Sequence, residues 1–248
     1  MFPIICKIGP LTIYSYGLML AIAVLVCARF MSREAKRDQI LVEDIYDLIF
    51  WCVLGGILGG RIFFIFLNLD FFLQDLKEIL MIQHGGLAWQ GALTGGGLIG
   101  WLYIRRKQWP LGFILDLSAP YVALGQAIGR IGCFLNGCCY GREVAWGIYF
   151  PVHDARLHPT QLYSMAGLLL IFFILKEFRR ISKVPGQVMV VYLILASLQR
   201  FVIEFFRADH EIFWAGMSIF QIVSIGILLF AVLLNIALVA RYRRHQHR

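Results

Sequence analysis

Seven apolar runs, each about 20 residues long, fill most of this 248-residue chain, and three arginines lie inside them: Arg61, Arg130 and Arg200. A bilayer leaves backbone polar groups no outside partner, so a spanning segment must be a helix or part of a closed barrel. The runs are continuous rather than alternating, which predicts helices and excludes a barrel. A cation within such a helix costs from about 3 to above 10 kcal/mol. It must therefore face a partner or a cavity. Three of them at similar depth predict a protein that handles an anion at the membrane surface, where the available anion is a phospholipid headgroup.

Composition agrees. Hydrophobic residues make up 60% of the chain and charged residues 15%, with a mean hydropathy of +0.74, whereas a soluble domain carries about 25% charge. The fold class expected is all-α, a polytopic membrane protein with seven transmembrane helices and a small periplasmic loop region. The spans are drawn at 13–31, 47–67, 86–104, 111–132, 161–175, 187–206 and 213–240, in a single integral membrane domain covering residues 1–248. Met1-Phe2-Pro3 lacks the basic start of a cleavable signal peptide, so the spans themselves are expected to direct insertion.

The net charge of +8 is distributed as the positive-inside rule requires. Segments 29–37, 105–107, 176–183 and 241–248 hold 15 of the 23 Lys and Arg residues. Seven alternating spans place all four on one side, the cytoplasm. The N-terminus is then outside and the C-terminus cytoplasmic. This distribution leaves no patch for nucleic acid.

Polar motifs gather at the outer ends of the spans. In Gly129-Arg130-Ile131-Gly132-Cys133-Phe134-Leu135-Asn136-Gly137-Cys138-Cys139-Tyr140-Gly141, four glycines are expected to break the helix and expose N–H groups able to hold phosphate. Arg130 would add a bidentate fork, and Asn136 would bind a glycerol hydroxyl or fix the loop. In Gln199-Arg200-x-x-x-Glu204-x-x-Arg207, the spacing puts Arg200, Glu204 and Arg207 on one helix face, as a ligand site or as an ion-pair network. Gln90, in His84-Gly85-Gly86-Leu87-Ala88-Trp89-Gln90-Gly91, would lie inside the third span and need a partner. In His158-Pro159-Thr160-Gln161-Leu162-Tyr163, Thr160 is expected to N-cap the fifth span. Gln161 and Tyr163 follow at the interface. Tyr14 and Tyr16 open the first span as interface anchors or, for Tyr16, as a site residue. The glycine clusters at 55–60 and 91–100 predict close helix packing, while Gly60 and Gly129, each beside an arginine, suggest room for a ligand. Cys133, Cys138 and Cys139 read first as small packing residues, then as a disulfide, and last as catalytic or metal-binding, because no C-x-x-C or H-x-x-x-H spacing supports a metal.

In this order the blocks resemble the phosphatidylglycerol–prolipoprotein diacylglyceryl transferase family of bacterial inner membranes. The segments that carry the likeness are Tyr16-Gly17-Leu18-Met19, Gly59-Gly60-Arg61, the glycine block at 85–91, Gly129-Arg130-x-Gly132 with Asn136-Gly137 and Gly141, His158-Pro159-x-Gln161-Leu162-Tyr163, and Arg200-x-x-x-Glu204-Phe205-x-Arg207. The resemblance implies a seven-span fold. It also implies a reaction in which the lipobox cysteine of a preprolipoprotein signal peptide takes the diacylglyceryl group of phosphatidylglycerol, giving a thioether and glycerol 1-phosphate. Such a protein would have the lipid bilayer as its setting and would need no cofactor and no metal. Arg130, Arg200, Glu204 and Gln90 are the residues expected to carry the chemistry. Tyr16, Arg61, Gly129, Asn136, Gly141, Gln161, Tyr163 and Arg207 are expected to bind substrate. The chain departs from the family at Gln90, where His is frequent, at Cys133 and Cys138, where Asn and an acid are frequent, and at Ser164, where Glu is. A divergent paralogue with another acceptor, a lipid transporter and a non-catalytic lipid-binding protein are the competing readings. The three loop cysteines are expected to be structural, since a thiol on the enzyme would trap the diacylglyceryl group as a stable thioether.

Overall fold

The computed structural model describes residues 2–8, 11–79, 81, 85–208, 212–214 and 216–246. His84, named above, lies outside them. The chain divides into two compact units, residues 1–30 with 115–248, and residues 31–114.

Helices dominate the described residues. They are α1 (Ser15–Ala35), α2 (Val42–Leu67), a short α3 (Leu69–Gln74), α4 (Trp89–Arg106), α5 (Leu111–Asn136), α6 (Thr160–Ile181), α7 (Gln187–Glu204) and α8 (Ile219–Gln246). Three two-stranded antiparallel hairpins join or precede them: β1–β2 (Ile4–Ile8 and Leu11–Tyr14), β3–β4 (Glu143–Phe150 and Ala155–Leu157) and β5–β6 (Ile212–Trp214 and Met217–Ser218). Among the described residues, six helices are long and apolar enough to cross a membrane: α1, α2, α5, α6, α7 and α8. The chain is a helical integral membrane protein. The 18-residue α4 is as long as α7, but Gln90, its glycines and the terminal Arg105-Arg106 dilute its apolar character.

The unit of residues 31–114 is organised by glycine. A Cβ on Gly55 would lie 2.9 Å from Gly95 O, and one on Gly91 would collide with Gly59 O. Gly55-x-x-x-Gly59 of α2 and Gly91-x-x-x-Gly95 of α4 therefore bring two backbones together. This is how helices associate in lipid, where no hydrophobic driving force acts between them. Gly60 belongs to the same contact, with Ala88 O and Ala92 Cβ at 3.3 and 3.4 Å from where its Cβ would stand. It leaves no room for a ligand.

In the larger unit α5, α6 and α7 share a core of Ala119, Ala123, Ile171, Leu175, Val188 and Tyr192. Leu233 and Phe230 of α8, more than 60% exposed, suit a surface facing acyl chains. α5 is one uninterrupted helix despite Asp116, Pro120 and Arg130. Its end also corrects the expected span end at 132 and the reading of all four glycines as breakers: the helix runs on through Arg130 and Gly132 to Asn136, and Gly137, at φ 75°, leaves it. Asp116 survives in the apolar interior because it caps another helix. Its carboxylate accepts from Gly186 N at 2.6 Å and Met189 N at 3.1 Å, two N–H groups that begin α7.

Candidate active site

Three segments of the larger unit are stitched together by main-chain hydrogen bonds: the loop after α5, the stretch leading into α6, and the end of α7. Gly141 N donates to His158 O, His158 N to Arg142 O, and Arg142 N to Phe206 O, at 2.9, 3.0 and 2.9 Å, and Gly141 also bridges to Arg207. A Cβ on Gly141 would stand 2.8 Å from Thr160 Cγ2 and would strike Phe206 O as well. Only glycine fits this crossing. At Gly129, by contrast, a Cβ would meet nothing nearer than Leu20 Cδ2 at 3.8 Å.

Side chains of α6 fix the loop from below. Thr160 Oγ1 donates to Cys139 O at 2.6 Å and Gln161 Nε2 to Cys138 O at 2.7 Å. Thr160 is thus a tie to the loop and not the N-cap expected of it; Pro159 holds the cap position without a side-chain bond. Gln161 is fully buried, and its Oε1 finds no donor among the described residues. His158 Nδ1 lies 3.2 Å from Tyr163 Oη, and both rings pack edge-on to Phe206. Asn136, at the end of α5, lies within hydrogen-bonding reach of the Cys138 thiol.

Arg130 is half-buried near the end of α5, and no protein group among the described residues pairs with it. Arg130 and Arg207 both lie within electrostatic reach of Cys139, and Arg130 and the three loop cysteines within reach of Tyr16. Hydrogen bonds from the Cys133 and Cys138 thiols hold the Cys139 thiol below its ordinary range, with Arg207 and Arg130 acting in the same direction. Gly132 lets α1 approach this end of α5, since a Cβ there would lie 3.2 Å from Tyr16 Cδ2.

Arg200 and Glu204 form the expected i, i+4 pair at 2.9 Å, and Glu204 is buried to 2% exposure. The other carboxylate oxygen, Oε1, accepts from Ser218 Oγ at 2.6 Å. The Arg200 guanidinium also lies over the Phe220 ring at 4.8 Å. Sequence reasoning missed Ser218 and Phe220, which come from the opposite end of a hairpin and a different helix. Their only signal is a hydroxyl and an aromatic at the start of the last apolar run.

In the other unit Arg61 is buried, and its guanidinium donates to main-chain carbonyls: Glu78 O, Ile79 O at 3.2 Å, Met81 O at 3.4 Å, Gly85 O at 2.6 Å and Gly86 O at 3.1 Å. All five donors of an arginine are thereby engaged. Gln90, in the first turn of α4, has an exposed side chain with no protein partner among the described residues.

The fold and the site define a polytopic helical membrane protein in which Arg130 and Arg207 lie near the loop that joins the ends of α5 and α7 to the start of α6. The family model for prolipoprotein diacylglyceryl transferase matches residues 3–237, and the chain belongs to that family. It is similar to the phosphatidylglycerol–prolipoprotein diacylglyceryl transferases of Clostridium tetani (34% identity, 95% of this chain and 96% of that one), Synechococcus elongatus (37%, 93% and 85%) and Bordetella avium (33%, 98% and 96%).

Proposed function

We propose that the protein transfers the diacylglyceryl group of phosphatidylglycerol to the lipobox cysteine thiol of preprolipoproteins, the first step of lipoprotein maturation. The observation that carries this reading is Arg130, a half-buried cation with no protein counter-ion among the described residues, beside a loop held rigid by Thr160 and Gln161. A phosphodiester supplies the missing anion. Arg130 grips its oxygens and Arg200, oriented by Glu204, takes the charge that develops as the leaving group departs. The thiol sulfur forms a bond to the glycerol carbon while that carbon's bond to the phosphate oxygen breaks. The products are a thioether and glycerol 1-phosphate, which leaves with the additional negative charge, and the thiol proton passes to water.

Both oxygens of Glu204 are engaged, and an amide at position 90 accepts no proton. The contribution of these residues is therefore electrostatic and positional. Gln161 Oε1, a buried acceptor, suits a glycerol hydroxyl. Arg61 ties together the carbonyls of Glu78, Ile79, Met81, Gly85 and Gly86 rather than touching substrate. The geometry of α4 supports a seventh span, tied to α2 by the glycine contact. The protein then forms one integral domain of the bacterial inner membrane, with its N-terminus outside. The test is to incubate purified protein with phosphatidylglycerol and a lipobox peptide and to look for the thioether product by mass spectrometry. Tight phosphatidylglycerol binding without product would overturn the reading in favour of a lipid-binding protein.

A further inference from the structure

The transfer reaction leaves three thiols unused, and they are the densest cluster of metal-ligating atoms among the described residues. The Sγ atoms of Cys133, Cys138 and Cys139 all lie within 4.8 Å of one another, and none is in a disulfide. Cys133 comes from the last turn of α5 and is buried, while Cys138 and Cys139 are partly open. Adjacent residues in an extended chain point to opposite sides. Here Gly137 at φ 75° and Cys139 at φ 62° wind the loop to the left, and both neighbouring thiols converge on Cys133. A left-handed backbone is unusual for cysteine, and the surroundings enforce it. Gln161 holds the carbonyl of Cys138, Thr160 holds that of Cys139, and Cys138 N returns to Cys133 O at 3.2 Å. Supports of this kind orient ligands in metal centres.

We propose that Cys133, Cys138 and Cys139 form a three-thiolate site for a soft monovalent cation of the copper(I) class. Thiolates select soft metals. A trigonal ion with metal–sulfur bonds of about 2.3 Å needs its sulfurs about 4 Å apart, which a cluster whose sulfurs all lie within 4.8 Å of one another accommodates. No histidine or carboxylate joins the group among the described residues, so the four protein ligands of a structural zinc site are not assembled. Charge points the same way. Three thiolates and one monovalent cation leave a net charge of minus two, which the Arg207 cation, within electrostatic reach of Cys139, offsets in part. Loading exchanges three thiol protons, released to water, for three sulfur–metal bonds, and no electron moves.

The experiment uses the full chain in detergent, reduced and anaerobic, titrated with copper(I) from its bicinchoninate complex. One equivalent per chain should be withdrawn, and X-ray absorption should show three sulfurs and no nitrogen around it. Cys133→Ser, Cys138→Ser and Cys139→Ser should each weaken binding at least about 100-fold, since losing an outer-shell partner alone costs about 10- to 100-fold. Replacing Cys6, Cys27 and Cys52 by Ser should change nothing. A readout on the unaltered protein avoids reliance on variants that fail to fold: bound copper should protect these three thiols, and not Cys6, from maleimide. Failure of the wild type to withdraw copper would overturn the site. So would equal withdrawal by the triple serine variant, or a Cys133–Cys138 disulfide in protein isolated without reductant.

Discussion

Two arginines of the same kind have opposite fates in this protein, and the difference lies in what surrounds each guanidinium. Arg61 is saturated by carbonyls, whereas Arg130 meets no such cage. Sequence alone placed both inside apolar runs and could not separate them, because the carbonyls around Arg61 belong to a loop 17 to 25 residues away. Arg130→Ala should lower transfer by about 100- to 1,000-fold, the scale for losing one group that stabilises developing charge. Arg130→Lys should recover little of it, because a point charge does not replace a fork. Turnover measured on lipobox peptide, alongside membrane insertion, checks both; near-wild-type turnover in the alanine variant would remove the clamp. Arg61→Ala should instead reduce the yield of folded protein, seen as a lower melting temperature. Gln90→His should be tolerated, since an exposed amide with no protein partner imposes no shape on its replacement. A collapse in folded yield would show an unseen packing role.

At the scale of elements, the pattern of glycines was legible as packing, but which glycine faces which backbone was not. The contact of α2 with α4 makes the distinction. Gly91→Ala should separate the helices and destabilise the protein by several kcal/mol if the backbones cannot part, in the range of strongly overpacked sites. Gly97→Ala, where a Cβ meets nothing within 4 Å, should be neutral. A matching pair exists at the site: Gly141→Ala should abolish transfer by parting the stitched segments, while Gly129→Ala should leave the fold intact. Detergent melting curves for the four variants give the comparison, and equal melting of Gly91→Ala and Gly97→Ala would refute the packing assignment. Helix ends were the least legible feature. The glycines after Gly129 read as breakers, yet α5 ends only where the chain adopts positive φ, because a lone glycine costs a helix no more than about 1 kcal/mol. Thr160 carried the composition of a cap, and tertiary structure redirected its hydroxyl to a carbonyl of the loop.

For the whole molecule, the parity of the spans decides where the ends lie. Six crossings would leave both termini on one side, and seven put them on opposite sides. With α4 as a span, a C-terminal alkaline phosphatase fusion should be inactive in intact cells and an N-terminal tag should be reachable from outside. An active C-terminal fusion would demote α4 to a helix that does not cross. The carboxylate of Asp116, described above only as a cap, has a larger consequence. It fastens α5 to the first turn of α7, so the two helices start from a common datum and climb in the same direction. Arg130 follows Asp116 by 14 residues, and Arg200 follows Gly186 by 14. At 1.5 Å per residue each guanidinium is carried about 21 Å from that tie. The chain has, in effect, levelled its two cations against one benchmark at the far end of the bundle. Adding a single residue to α7 after Val191 would raise Arg200 by about 1.5 Å and turn it by about 100°, leaving two arginines at different heights and a phosphodiester that can reach only one of them.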